Sequence, residues 1–400
     1  MVLVCVSATM AVGTAIKAPC AAGNWGDGRQ YRWLCYSDIV PLLNTEQLVG
    51  DRLPFVNECA TVADQNCDEY PVLTMYFMRG AAWISGPHFG SFYYVNAALL
   101  LLCAIAIAIC LYFMAGPRAL YFALAPTLLV YGTMNWDLLA VAFATAALLF
   151  LLRRRDMWSG AMLGLGAAAK FYPALLVVPF IAQRLRERRP DAAVTLGWAA
   201  AGVWALVNLP FLLASAGSWL RFFTFNSQRP ADFDSLWYVG CHHIEFACRS
   251  VRTVNILAAL IFLAGVALAW KLRARRYPDF PRWTLGFPLI AIFLLSNKVY
   301  SPQYGLWLLP WFAVALPGLG RFFAFEIADV GVFVTRFWWF GRLQGGWGTP
   351  QAWFEVMVVL RALVLVWCVV AWIREQHQPL PIETMPLGAA AASAPEVAAT

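Results

Sequence analysis

Residues 153–189 read RRRDMWSGAMLGLGAAAKFYPALLVVPFIAQRLRERR: two apolar limbs, 157–169 and 171–183, between two arginine clusters. Short loops rich in Lys and Arg stay on the cytoplasmic side of a membrane. Both flanks therefore face inward, and the limbs form a hairpin open to the cytoplasm. Each limb of about 13 residues rises roughly 20 Å, short of a hydrocarbon core of roughly 30 Å. The tip, Lys170-Phe171-Tyr172-Pro173, is expected deep in the membrane, with Pro173 at the break. A third cluster, Lys271 to Arg276 (KLRARR), is a further cytoplasmic anchor. Each cluster ends an apolar run, which argues against nucleic-acid contact.

The composition agrees. Of 400 residues, 61% are hydrophobic and 13% charged, with a mean hydropathy of +0.64. A soluble domain is near half apolar and about a quarter charged, so a soluble enzyme and a disordered chain are both excluded. Nineteen Trp and fourteen Tyr suit the aromatic belts of a membrane protein. Apolar runs lie near 1–16, 92–115, 119–133, 137–152, 157–169, 171–183, 191–213, 252–270, 282–297, 303–317, 321–340 and 352–373. They predict an all-α, multi-pass integral membrane protein of about 12 transmembrane helices with both termini cytoplasmic. The first run reads as a truncated helix or a signal peptide. Lys17-Ala-Pro lacks a small-residue cleavage pattern, so an uncleaved helix is expected. Residues 1–373 form one membrane-embedded domain, and 374–400 are expected to be a disordered cytoplasmic tail.

Two outside loops are large, 17–68 and 215–250. Cys20, Cys35, Cys59 and Cys67 fall in the first, Cys241 and Cys248 in the second. Even numbers per outside loop are what an oxidising compartment would give. Of the three connectivities open to four cysteines, Cys20–Cys35 with Cys59–Cys67 is the expected one, and Cys241–Cys248 the expected pair of the second loop. A zinc site is the rival, since His242 and His243 follow Cys241, but no Cys-x-x-Cys pair is present.

A transporter would place its polar residues near the bilayer midplane. Here they gather at the outer face, which suits an enzyme acting on a substrate delivered within the lipid. Asp38, in Tyr36-Ser37-Asp38, reads either as a general base or as a solvated loop carboxylate. Asp68-Glu69-Tyr70-Pro71 precedes an apolar stretch, 70–85, that carries Arg79 and suits the interface. Asn135-Trp136-Asp137 opens a span, as a helix cap or as a substrate contact. Lys170 needs a counter-charge: a lipid phosphate, Asp137 or another acid. Lys298 either snorkels or, with Lys170, Tyr172, Gln303 and Tyr304, holds a phosphodiester and sugar hydroxyls. Walker A, Rossmann, His-Glu-x-x-His and Gly-x-Ser-x-Gly patterns are all missing, so nucleotide hydrolysis and zinc proteolysis lack support.

Four blocks carry a family resemblance. Ser37-Asp38-Ile39-Val40 is followed by Gly50-Asp51-Arg52-Leu53-Pro54-Phe55 and Glu69-Tyr70-Pro71. Then come Asn135-Trp136-Asp137-Leu138-Leu139-Ala140-Val141-Ala142 and Gly164-Leu165-Gly166-Ala167-Ala168-Ala169-Lys170-Phe171-Tyr172-Pro173. The last is Ser301-Pro302-Gln303-Tyr304-Gly305-Leu306-Trp307-Leu308-Leu309-Pro310. In this order they resemble glycosyltransferase family 87 of the membrane-embedded GT-C superfamily. These are polyprenyl-phosphate-mannose-dependent α-mannosyltransferases, mostly of actinobacteria. Two features depart from the family. The segment Lys17 to Cys35 separates Asp38 from the first helix, and Gln303 stands where some relatives have His.

The resemblance implies inverting transfer of a hexose, mannose, from a polyprenyl phosphate to a lipid or glycan hydroxyl at the outer face of a bacterial plasma membrane. It implies Asp38 as base, and Tyr36, Glu69, Tyr70, Asn135, Asp137, Lys170, Tyr172, Lys298, Gln303 and Tyr304 around the substrates. No cofactor or metal is implied. The other reading is a polyprenyl-phosphate-sugar flippase without catalysis.

Overall fold

A computed structural model describes residues 1–21, 25–60, 67–244 and 250–384. The chain is helical, with no strand among the described residues. Among the described residues, five helices are long and apolar enough to cross a membrane: Val2–Cys20, Phe89–Ala123, Pro190–Ala214, Val251–Arg276 and Gln351–Arg374. Of the other apolar segments, Leu319–Gly345 is long and unbroken but carries Arg321, Glu326, Asp329, Arg336 and Arg342, and the rest are shorter or broken. Residues 119–133, read as one run, divide into Leu120–Ala123 and Pro126–Tyr131, because a residue before proline is pushed out of the α region. Residues 303–317 divide into the 3-10 turn Pro302–Trp307 and the helix Leu309–Val314. The first helix is longer than its sequence reading and runs Val2–Ala21.

The two ends of the helical bundle differ in chemistry. At one end the three basic clusters meet. Arg184 bonds Asp156 and the Leu151 carbonyl, Arg189 lies 3.4 Å from Asp156, and Arg186 donates to the Asp279 carbonyl at 2.7 Å. Arg273 donates to the carbonyls of Trp372 and Glu375. Residues 375–384, expected in the disordered tail, pack at this end. Glu375 pairs with Arg321 at 2.6 Å, Leu380 is fully buried, and Trp283 Nε1 donates to Glu383 at 3.2 Å. The remainder of the expected tail, 385–400, lies outside the described residues.

The two cysteine-bearing loops occupy the opposite end. Cys20 is bonded to Cys35 with a Cα–Cα distance of 5.8 Å, and Cys59 to Cys67 at 6.2 Å. The first bond closes the segment that separates Asp38 from helix Val2–Ala21, so Asp38 returns to the helix end. The expected partner of Cys241, Cys248, lies outside the described residues. Helix Val72–Ser85 stays at this end too: Tyr76 donates to the Pro54 carbonyl at 3.0 Å and Arg79 to the Leu48 and Gly50 carbonyls at 3.0 and 2.6 Å.

Between the ends, helices Asp156–Ala169 and Pro190–Ala214 approach closely through Gly160 and Gly164, four residues apart. A Cβ on Gly160 would collide with the Leu196 carbonyl oxygen, and one on Gly164 would lie 2.5 Å from that of Ala200. Small residues at this spacing let membrane helices pack backbone to backbone. Overpacking costs roughly 1–3 kcal/mol. Gly164→Val is therefore expected to lower the thermal midpoint of the protein in detergent. Gly202→Val, on the facing helix with open space around it, should leave it almost unchanged. Equal midpoints for wild type and Gly164→Val would contradict the close contact.

Candidate active site

The cavity of about 560 Å³ at the loop end contains ten of the eleven expected site residues. Tyr36, Asp38, Glu69, Tyr70, Asn135, Lys170, Tyr172, Lys298, Gln303 and Tyr304 all line it. Asp137 lies behind the wall, fully buried.

Asp38 is half-buried where the chain enters helix Ile39–Thr45. Its amide donates to the Met134 carbonyl at 2.9 Å, and the Ser37 hydroxyl donates to that of Thr133 at 3.0 Å. These bonds fix residues 37–38 against 133–135. The Asn135 amide then donates to Asp38 Oδ2 at 3.0 Å and to the Tyr70 hydroxyl oxygen at 2.8 Å. The Tyr36 hydroxyl lies beside Asp38, and the Tyr36 ring stacks on Phe337 at 4.5 Å. Asn135 Oδ1 accepts from the Trp136 amide at 2.7 Å, so Asn135 is a bridge rather than a helix cap.

Lys170 forms the floor. It is extended at the break after helix Asp156–Ala169, and its ammonium lies 2.7 Å from Asp137 Oδ1. The same oxygen accepts from Trp307 Nε1 at 2.6 Å. Trp307 is stacked between Tyr172, at 4.2 Å, and Tyr304, at 4.0 Å, and the Lys170 ammonium sits 4.7 Å from the Tyr304 ring centre. Among the counter-charges open to Lys170, the structure supplies Asp137. Lys298 does not snorkel: it is buried and donates to the carbonyls of Ser227 and Arg229 at 3.1 and 2.7 Å. Burial and the neighbouring Arg229 push its pKa down to about 8.

Three charged residues of the cavity were passed over in the sequence: Arg229, Asp232 and Arg336. Arg229 lies 3.7 Å from Asp232, its ion-pair partner in the cavity, and its side chain is 27% exposed. Arg336, from helix Leu319–Gly345, bonds Asp234 and reaches within 4.0 Å of Asp232. An arginine inside an apolar run was the available signal. Arg229 and Asp232 had none beyond their place in an outside loop. Gln303 lines the cavity, and its Oε1 is buried and meets no donor among the described residues. The mouth is apolar: Pro41, Leu42, Phe171, and Phe222, Phe223 and Phe225 from helix Ala216–Gln228.

The chain matches the family model of glycosyltransferase family 87 over residues 70–296, more than half its length. It belongs to that family and is a membrane glycosyltransferase. Asn135, Asp137 and Lys170 fall within the match; Asp38, Gln303 and Arg336 fall outside it. No curated protein matches the chain.

Glu46 lies under Glu69, fully buried; its Oε2 accepts from the Glu69 amide at 3.5 Å, and its Oε1 meets no donor among the described residues. Burial, then the charge of Glu69, push its pKa up from 4.5 to about 8. Glu46 is thus protonated in the folded protein at neutral pH, whereas the unfolded chain ionises near 4.5. Stability from this group is therefore lost progressively as pH rises from 4.5 towards 8. In Glu46→Gln the loss is removed. Its thermal midpoint should exceed that of wild type by an amount that grows from pH 5 to pH 8, and a pH-independent difference would refute the assignment.

Proposed function

We propose that the protein transfers mannose from a polyprenyl phosphate to a hydroxyl of a lipid or glycan acceptor, with inversion. Asp38 is the general base, and the cavity end is the outer face of a bacterial plasma membrane. One observation carries the reading: a half-buried carboxylate, oriented by Asn135 and flanked by Tyr36, lines a cavity that four cationic side chains also line. In an inverting transfer the acceptor hydroxyl attacks opposite the departing phosphate. The base must lie on the acceptor side and the cations on the phosphate side. In this reading about 12 segments cross the membrane. The basic end is cytoplasmic, and the disulfide-bearing loops face an oxidising space.

The charge tally refines the phosphate site. Lys170, Arg229, Lys298 and Arg336 line the cavity with Asp38, Glu69 and Asp232, while Asp137 and Asp234 stand directly behind. Lys170, Lys298 and Arg336 already have close partners. Arg229 is the cation with the least to give up, and a guanidinium can take phosphate in a bidentate geometry. Gln303 Oε1 is placed for a sugar hydroxyl, and the phenylalanine-lined mouth accepts the start of a polyprenyl chain. Lys170 contributes its charge from the floor while it stays paired with Asp137.

Transfer of radiolabelled mannose from polyprenyl-phosphate mannose to membrane lipids tests the reading. Asp38→Asn should slow transfer by about 10²–10⁴-fold with donor binding intact, since Asn keeps the shape but cannot take a proton. Glu69→Gln should have a smaller effect. Near-normal transfer by Asp38→Asn alongside loss in Glu69→Gln would reassign the base. Arg229→Gln should weaken donor binding more than the acceptor step, and unchanged donor affinity would move the phosphate elsewhere.

A further inference from the structure

The geometry points to a divalent transition-metal site, of the class that takes zinc, formed by His242, His243 and Glu355 outside the transfer cavity. His242 and His243 end helix Leu236–His243, and Glu355 lies in the second turn of helix Gln351–Arg374. His242 Nδ1 is 2.6 Å from Glu355 Oε1, and His243 Nε2 is 2.9 Å from Glu355 Oε2. One donor atom from each of the three residues lies within 4.8 Å of the other two. Adjacent residues on a helix point about 100° apart, yet both imidazoles turn to one carboxylate. Half of the four histidines in the chain are spent on this spot.

Two imidazoles and one carboxylate, with a fourth position left to water, are the donors of open zinc sites. The arrangement has the graded exposure such a site needs. The Glu355 side chain is 8% exposed, at the base, whereas those of His242 and His243 are 49% and 61% exposed. Water therefore reaches the fourth position from the imidazole side. Gln351 Nε2 donates to Glu355 Oε1 at 3.0 Å, which orients the carboxylate from behind as second partners of metal ligands do. As hydrogen bonds alone, the contacts need a proton on Nδ1 of His242 and on Nε2 of His243, supplied by neutral rings of opposite tautomer or by imidazoliums, and with both rings about half exposed they contribute little. An ion uses the same lone pairs with both rings neutral. Among the described residues, the other cluster of this type, Cys59, Cys67 and Asp68, is committed to a disulfide.

The ion would act as a clamp. Helix Leu236–His243 follows directly on the Asp232–Ser235 segment, whose Asp232 lines the cavity and whose Asp234 holds Arg336. Tying the far end of that helix to Gln351–Arg374 holds the segment in place. The inference is independent of which sugar is moved or which residue is the base.

The test uses the full-length protein in detergent, free of any affinity tag and stripped with EDTA, titrated with zinc chloride alone by calorimetry. One ion per chain should bind, with a Kd in the micromolar range or tighter. Co²⁺ substituted for zinc should give the visible absorption of a four- or five-coordinate nitrogen–oxygen site. His243→Gln and Glu355→Gln should each weaken binding by about 10-fold or more. Both variants are first checked for wild-type thermal midpoints in EDTA. If Glu355→Gln fails to fold, His242→Gln and the Co²⁺ spectrum of wild type decide. Absence of saturable binding up to about 100 μM zinc, roughly 5.5 kcal/mol in affinity, would overturn the proposal. So would binding that is unchanged in the histidine variants.

Discussion

The ion pair between Lys170 and Asp137 is the contact on which the rest of the site depends. Lys170, at the break after helix Asp156–Ala169, is only 14% exposed and is packed among aromatic rings, where an unpaired charge is costly. Asp137, at the first turn of helix Asp137–Leu152, meets it at 2.7 Å and also receives the Trp307 indole. Three stretches far apart in sequence, 135–137, 170–172 and 302–307, are thereby fixed to one another. Removing one member of a buried pair typically costs about 3–5 kcal/mol, because the other is left unpaired. The floor is thus rigid, and Tyr70, Asn135 and Asp38 are built on it.

A second buried network brings in the last two helices. Arg361 pairs with Asp329 at 3.1 Å, donates to the Asp234 carbonyl at 2.9 Å, and lies 3.6 Å from the Tyr300 ring centre. Thr127 donates its amide to Glu326 at 2.6 Å and its hydroxyl to Asp329 at 3.2 Å. Helices Leu319–Gly345 and Gln351–Arg374 are in this way joined to the loop at Asp232–Asp234, and Arg336 is brought to the cavity. The charges within these helices are structural partners as well as a route for one cation into the site.

The helical class, the basic end and most of the cavity wall were legible because each rests on local pattern. Apolar runs mark helices, arginine clusters mark one face, and Asn135-Trp136-Asp137 and Lys170-Phe171-Tyr172-Pro173 carry polar groups where an apolar chain has no use for them. What was not legible depends on pairing across the chain. Arg336 reads as a stray charge in an apolar helix until Asp234 meets it, and Glu355 reads as a helix-start charge until two histidines do. The Cys20–Cys35 bond cancels the apparent displacement of Asp38 from the first helix. Proline placed the break at Pro126 and the start of the turn at Pro302, yet the division of 303–317 into a 3-10 turn and an α-helix at Leu308 is decided by packing. Residues 375–384 looked like the start of a polar tail, but Arg321 and Trp283 supply partners that composition cannot show.

A cryo-electron microscopy map of the protein with a non-transferable polyprenyl-phosphate mannose analogue tests the central claim most directly. The phosphate is expected against Arg229 near the Lys170 floor, the sugar in the cavity beside Gln303, and the polyprenyl chain leaving past Phe222 and Phe223. Asp38 would then face the side of the anomeric carbon opposite the phosphate. A phosphate seated at Asp38, or a sugar whose attacked face points away from it, would contradict the assignment of the base and of the cavity.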